Sequence, residues 1–349
     1  MNTTLGMDLG TQRPKAVFND YKAREADSLA ERVLRNARGD RVTLLNYGAR
    51  LTRIELRLPD GIRNVILGYE DSAGYLTDPF FMGTTVGRTC NRIAGARFNL
   101  GGVDYPLDAN EGENHLHGGA GGFHHRHWSI DTAVPDDTGR FRLRSADGDQ
   151  GYPGTLEASV TYRWTDEREL VIRLEAETDR PTHVNMTNHA YFNLAAGGAD
   201  VLGHRLHIAS RQILQVNEDL LPTGDFLDVA GSGLDLRQPA ALRDVIESRH
   251  PLVVRTGGMD FNYILGESGG RAELESPNGD LCLRMTTTCP GLQVYGGQKL
   301  GPPFAPHRGL CLEPQHFPDT PNRPAFPTTL LAPGERYSQT TRYRFIAAG

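Results

Sequence analysis

Long apolar runs are missing from this chain of 349 residues. Nothing in it approaches the ~20 consecutive apolar residues that a membrane-spanning helix needs. The first residues, MNTTLGMDLGTQRPKAVF, also lack the ~7–15-residue apolar core of a signal peptide. A soluble, cytoplasmic protein is therefore expected. Positive charge is not in excess either: 37 Lys+Arg against 43 Asp+Glu give a net charge of −6. That balance argues against a nucleic-acid surface or a polybasic membrane patch, and a small neutral or polar partner is more natural. Cysteine is scarce, and Cys90, Cys282, Cys289 and Cys311 show no metal-type CxxC spacing. Their apolar or threonine-rich surroundings suit reduced, buried thiols.

What the chain has in quantity is turn residues, with 40 glycines and 21 prolines. They punctuate short runs of period-two alternation. Leu156, Ala158, Val160, Tyr162 and Trp164 alternate with Glu157, Ser159, Thr161 and Arg163. Leu170, Ile172, Leu174 and Ala176 line one face of the next run. Leu281, Leu283 and Met285 repeat the pattern, as do Tyr337, Tyr343 and Phe345. Ala30 to Ala49 reads as a hairpin about Arg38-Gly39-Asp40, and Leu51 to Leu58 alternates again. Only Pro239 to Arg249 reads as a helix, with Leu242 and Ile246 at i, i+4. Many short strands joined by Gly/Pro turns predict an all-β sandwich or barrel. All-β architectures of this size are often one domain, expected here over 29–349 after a loosely held N-terminal arm, residues 1–28.

The stretch Val184 to Leu194, VNMTNHAYFNL, sorts two kinds of chemistry if it is a strand, because successive side chains point to opposite faces. Val184, Met186, Asn188, Ala190, Phe192 and Leu194 share a mostly apolar face; Asn185, Thr187, His189, Tyr191 and Asn193 share the other. A solvent face usually carries Lys, Glu and Arg. This one offers only donors, acceptors and an imidazole, which suits the floor of a pocket for a neutral, hydroxyl-rich ligand.

Five histidines fall between His115 and His127, in NHLHGGAGGFHHRHW. His-x-His can put two imidazoles on one face of a strand, as a metal site requires. No Asp or Glu follows His117 within nine residues to complete a ligand set, so His117 is better read as a hydrogen-bonding pocket residue. His124, His125 and His127 read as turn and surface residues. Arg88 and Arg92 in GRTCNRI are four apart and in a strand would share a face, while an Asn91-Arg92 pair equally suits a turn. Asp260 sits among glycines in GGMDFN, which by itself describes a turn. In LCLEPQHFPDTPN, alternation sends Leu310 and Leu312 one way and Cys311 and Glu313 the other, and Pro314 then argues against continuation as a central strand. An acid there is most often a surface residue, but one facing a pocket would have its pKa raised by desolvation and could serve as a base.

GRTCNRI, NHLHGG, TNHAYFNL, GGMDFN and LCLEPQHFPDTPN stand in the order and spacing of the aldose 1-epimerases, or galactose mutarotases, which the chain resembles from about Asn46 to Phe345. Lesser signatures agree: DGDQGYPG from Asp147, PTG from Pro222 and PGLQVY from Pro290. The resemblance implies a large antiparallel β-sandwich with an open sugar cleft and no cofactor, and the missing third ligand after His117 argues against a metal. It implies Glu313 as the base for the C1 hydroxyl, His189 as the acid for the ring oxygen, and His117 as a substrate-holding residue that assists this transfer. Asn91, Arg92, Asp260 and Gln293 are implied to bind hydroxyls. The substrate class implied is a free aldose such as galactose or glucose; a monomer or homodimer is expected, the sequence not choosing between them. Three positions depart from the family pattern: Cys90 where Ala is usual, His115 in place of a small residue, and GFHHRHW without the usual Asp-Lys pair. Two other classes fit parts of the pattern. One is another sugar-processing enzyme, either a sugar-phosphate epimerase or a glycosidase using Asp260 and Glu313 as its carboxylate pair. The other is a noncatalytic carbohydrate-binding protein.

Overall fold

The computed structural model describes residues 28–195 and 199–348; the arm expected over residues 1–28 therefore lies outside the described residues but for Ser28. The hairpin expected between Ala30 and Ala49 forms from Glu31–Arg35 and Arg41–Leu45, and extends through Arg50–Leu58 and Gly61–Asn64 into a four-stranded sheet.

The four long alternating runs, Leu156–Trp164, Glu169–Thr178, Tyr337–Ala347 and Leu281–Thr287, are neighbours at the centre of a nine-stranded antiparallel sheet. Each buries every second side chain, as period two requires. Their apolar rows pack with those of a six-stranded antiparallel sheet ordered Tyr191–Phe192, Leu310–Gln315, Gly291–Tyr295, Asp260–Ile264, Gln212–Val216 and Pro222–Asp228. The contact between the sheets is visible in Phe192, whose ring centroid lies 5.0 Å from that of Tyr343, and in the Tyr343 hydroxyl, which donates to Leu312 O at 2.9 Å. No helix among the described residues is long and apolar enough to cross a membrane.

Alternation in the six-stranded sheet positions the functional surface. Phe261, Tyr263, Leu292, Val294, Leu310 and Leu312 belong to the core. Their alternates Asp260, Asn262, Gln293, Tyr295, Cys311 and Glu313 therefore point to the opposite face. Register aligns them in two rows: Asn262 opposite Gln293 opposite Glu313, and Asp260 opposite Tyr295 opposite Cys311 opposite Tyr191.

Three expectations change. Val184 to Leu194 is not one strand. Thr187–Asn188 pairs with Thr85–Val86, and Tyr191–Phe192 pairs with the strand carrying Glu313. Between them His189 is held by its own N–H to Thr84 O and by Gly83 N–H to its carbonyl, both at 2.9 Å. Both faces are buried, so most of the polar side chains serve the chain itself. Asn185 bonds the backbone of His316, Thr187 donates to Pro314 O, and Asn188, assigned to the apolar face, donates to Gly83 O and the Tyr162 hydroxyl. Pro314 does not end its strand either. Its carbonyl accepts from Thr187 Oγ1 and Gln339 Nε2, so its backbone polar edge faces away from the ladder and no ladder donor is lost. The helix expected over Pro239 to Arg249 is confined to Leu242–Glu247, because Ala240–Ala241 joins the edge of the nine-stranded sheet; a second helix, Pro251–Thr256, follows, with Pro251 in its first turn and Gly257 at φ +69° closing it.

Candidate active site

The strand row ends in a cleft of about 240 Å³ whose walls come from three parts of the fold. The six-stranded sheet supplies Asp260, Gln293, Tyr295 and Glu313; the broken segment supplies His189 and Tyr191; and loops with the short strand Arg92–Ile93 supply Asn91, Arg92, His117 and Phe81. All seven residues singled out in the sequence therefore line one cleft.

Glu313 and His189 face each other across it, Oε1 to Nε2, at 3.6 Å. Both are buried, and Glu313 Oε2 has no hydrogen-bond partner among the described residues. Burial pushes the Glu313 carboxyl well above its ordinary value, with the nearby Asp260 charge adding to the effect; burial pulls His189 down to about 4. Both shifts disfavour charge and so favour a protonated Glu313 carboxyl beside a neutral His189 imidazole. Moving that proton from Glu313 to His189 yields a carboxylate and an imidazolium without changing the net charge. The other imidazole nitrogen, Nδ1, lies 3.5 Å from the buried Cys311 thiol.

His117, at φ +52°, is tied to Asn91, at φ +60°, in both directions. The His117 N–H donates to Asn91 O at 3.0 Å, and the Asn91 N–H donates to His117 Nδ1 at 3.2 Å. Since Nδ1 accepts, neutral His117 carries its proton on Nε2, which is left to donate to a ligand. Burial holds the ring well below its ordinary pKa and so keeps it neutral.

The polar wall is a relay. Asn262 Nδ2 donates to Gln293 Oε1 at 3.3 Å, and Gln293 Nε2 donates to Asp260 Oδ1 at 2.6 Å. The relay orients the Gln293 amide and leaves Asp260 Oδ2 for a ligand hydroxyl. Burial raises the Asp260 carboxyl, against the opposing pull of Arg92 and the Gln293 bond. Arg92 meets Glu111 in a two-pronged ion pair, Nε to Oε2 at 2.7 Å and Nη2 to Oε1 at 2.8 Å, so Nη1 remains for a ligand.

The remaining histidines and arginines separate. His115 does not share a site with His117: its Nδ1 lies 2.7 Å from Asp108 O and its Nε2 2.9 Å from the Tyr152 hydroxyl. Arg88 does not join Arg92, because the left-handed Asn91 breaks the strand; Arg88 is buried on Ser145, Ala146 O and Pro153 O. His124, expected at the surface, is buried edge-on to Phe81 with ring centroids 4.7 Å apart, whereas His125 and His127 are partly exposed against Tyr47. Phe81 had no sequence signal. Its ring centroid stands 4.6 Å from that of His117 and 5.9 Å from that of His189, covering both imidazoles. The donors best placed to close on an ion are His189, Cys311 and Glu313, all within 4.8 Å of one another. Burial pushes the Cys311 thiol well up, which works against the thiolate a metal ligand requires.

The family model for aldose 1-epimerase matches residues 32–344. The chain belongs to the aldose 1-epimerase family. Members are isomerases, and this chain is one of them. It is 38% identical over 320 residues to the galactose mutarotase of Mus musculus, covering 88% of this chain and 91% of the relative. It is 37% identical over 348 residues to the aldose 1-epimerase of Escherichia coli (strain K12), covering 95% and 100%. Among solved structures, an aldose epimerase homologue from C. elegans superposes with a TM-score of 0.85 at 28% identity, covering 92% of this chain and all of that one. A galactose 1-epimerase from Lactobacillus acidophilus NCFM gives 0.84 at 29% identity, covering 94% and 98%. The galactose mutarotase-like antiparallel sandwich expected from the motifs is thus the fold of the chain. Within this epimerase, Asn262, Glu111, Cys311 and Phe81 are the site residues sequence reasoning left without a role. Asn262 and Cys311 were open to discovery, since strand alternation puts them on the faces of Asp260 and Glu313.

Proposed function

We propose that the cleft interconverts the α and β anomers of free aldoses by acid–base ring opening and reclosure, with Glu313 and His189 as the proton-transferring pair. The observation that carries this is the pair itself: one carboxyl and one imidazole, 3.6 Å apart and buried, in a chain of this family. The Glu313 carboxylate takes the proton from the C1 hydroxyl. The His189 imidazolium gives its proton to the ring oxygen as the C1–O5 bond breaks and the C1 carbonyl forms. Rotation about C1–C2 presents the other carbonyl face. On reclosure O5 attacks C1, its proton returns to His189, and O1 recovers a proton from Glu313.

His117 Nε2–H holds the substrate and supports the transfer at the ring oxygen. Asp260, Gln293, Asn91 and Arg92 bind the hydroxyls. A hemiacetal needs one base and one acid, with no covalent nucleophile and no metal. The protein acts in the cytoplasm as a monomer or homodimer on a small neutral sugar. Freshly dissolved α-D-galactose should lose its excess optical rotation faster with chelator-dialysed protein than without it. Activity lost on dialysis and restored by zinc would overturn the metal-free mechanism; release of sugar from an oligosaccharide without faster anomer exchange would favour the glycosidase use of Asp260 and Glu313.

A further inference from the structure

The chain uses lysine almost nowhere: Lys15, Lys22 and Lys299 stand against 34 arginines. Among the described residues Lys299 is the sole lysine, and it lines the cleft. Its backbone is anchored on both sides. The Lys299 N–H donates to the Tyr295 hydroxyl at 3.1 Å, Gln298 Nε2 donates to Thr256 O at 3.4 Å, and Leu300, buried, donates its N–H to Gly297 O at 3.2 Å. Gly297, at φ +65°, packs so tightly that a Cβ there would stand 2.5 Å from Gly309 O. A rigid turn thus presents one flexible, exposed ammonium at the rim.

This cation makes no ion pair among the described residues; its charge acts on the Asp260 carboxyl at the hydroxyl-binding wall rather than on Glu313. Arg92, the other cation of the cleft, is held in both prongs by Glu111, whereas Lys299 pairs with no carboxylate among the described residues. Neutral hydroxyls are already served by Asn91, Arg92, Asp260 and Gln293. An ammonium on a four-carbon stem can donate to a hydroxyl, but only an anion matches its charge.

We propose that Lys299 is a specificity-determining residue that admits aldoses carrying an anionic group at the end of the ring away from C1, and that this group is the C6 carboxylate of a hexuronate. The proposal rests on the anomer-exchange function above. A carboxylate suits the site better than a phosphate for two reasons. Glu111 and Asp260 line the same cleft, so a phosphate of nearly two charges meets more repulsion than a monoanion. A uronate also alters only the exocyclic group of the hexose, where a phosphoryl group enlarges it.

The test measures kcat/KM by polarimetry for D-galactose, D-galacturonate and D-galactose 6-phosphate at neutral pH, with wild-type protein, Lys299→Met and Lys299→Arg, each checked for folding by circular dichroism. The galacturonate-to-galactose ratio should fall about fivefold or more in Lys299→Met, which is about 1 kcal/mol. Lys299→Arg should restore most of that ratio. Raising the salt should lower the wild-type ratio, because a rim charge is screened. An unchanged ratio in Lys299→Met, or no exchange of galacturonate by wild-type protein, would overturn the proposal. A higher kcat/KM for the phosphate than for the uronate would overturn the carboxylate assignment. Absence of exchange with galactose itself would instead be a failure of the anomer-exchange function.

Discussion

Replacing Asp78 by alanine should loosen the cleft from beneath. The side chain is fully buried and accepts four hydrogen bonds: Arg50 Nη1 at 2.6 Å, the Tyr69 hydroxyl at 3.1 Å, and the backbone N–H groups of Phe80 at 3.0 Å and Met82 at 2.7 Å. The last two bracket Phe81, which stands at φ +57° and covers His117 and His189. Alanine removes the carboxylate and leaves the Arg50 guanidinium, itself fully buried, bonded only to Met82 O and His124 O. Removing one partner of a buried ion pair costs about 3–5 kcal/mol, mainly because the other charge stays buried and unmatched. Urea unfolding of Asp78→Ala should therefore give a stability lower by about 3 kcal/mol or more. A second substitution, Arg50→Met, should recover part of that loss, because it removes the stranded charge. A single variant within about 1 kcal/mol of wild type, or a double variant whose loss equals the sum of its parts, would refute the assignment of Asp78 and Arg50 as the support of the Phe81 loop.

Two further outcomes follow from the cleft. Asp260→Ala removes an acceptor that would serve ground and transition states alike, so KM should rise by about tenfold or more with a smaller change in kcat; a collapse of kcat at constant KM would move Asp260 into the proton chemistry. The profile of kcat/KM against pH should be bell-shaped, because the Glu313–His189 pair works with one proton. As pH falls through about 4, His189 gains a proton while Glu313 keeps its own, and the base is lost. As pH rises past the elevated Glu313 value the pair is left with none, and the acid is lost. An acid limb at or above pH 6.5 would contradict the burial of His189.

The strands were legible where alternation is strong and both neighbours are strands of the same kind, as from Leu156 to Thr178. The seven residues that line the cleft were legible because their motifs are long and ordered; the roles proposed for them come from the family resemblance. The break at His189 was not. It exists because Thr84 and Gly83 take the backbone polar groups of His189, and partners more than 100 residues away leave no local trace. Pro314 misled for a related reason: a proline is excluded only where its N–H would meet the ladder, and which edge faces the ladder is a tertiary fact. The same holds for His124, whose burial depends on Phe81, and for Arg50 with Asp78, which share no periodic pattern.

The central claim is that Glu313 and His189 act as one pair. Polarimetry of Glu313→Gln, His189→Asn and the double variant, each folded by circular dichroism, tests it most directly. Glutamine keeps the shape of Glu313 but takes no proton, and asparagine cannot give one to the ring oxygen. Each single variant should lose about 10²–10⁴-fold in kcat. The double variant should lose much less than the product of the two, because both protons move in one event. A folded Glu313→Gln protein with near-wild-type kcat, or a double variant whose loss equals the full product, would contradict the account.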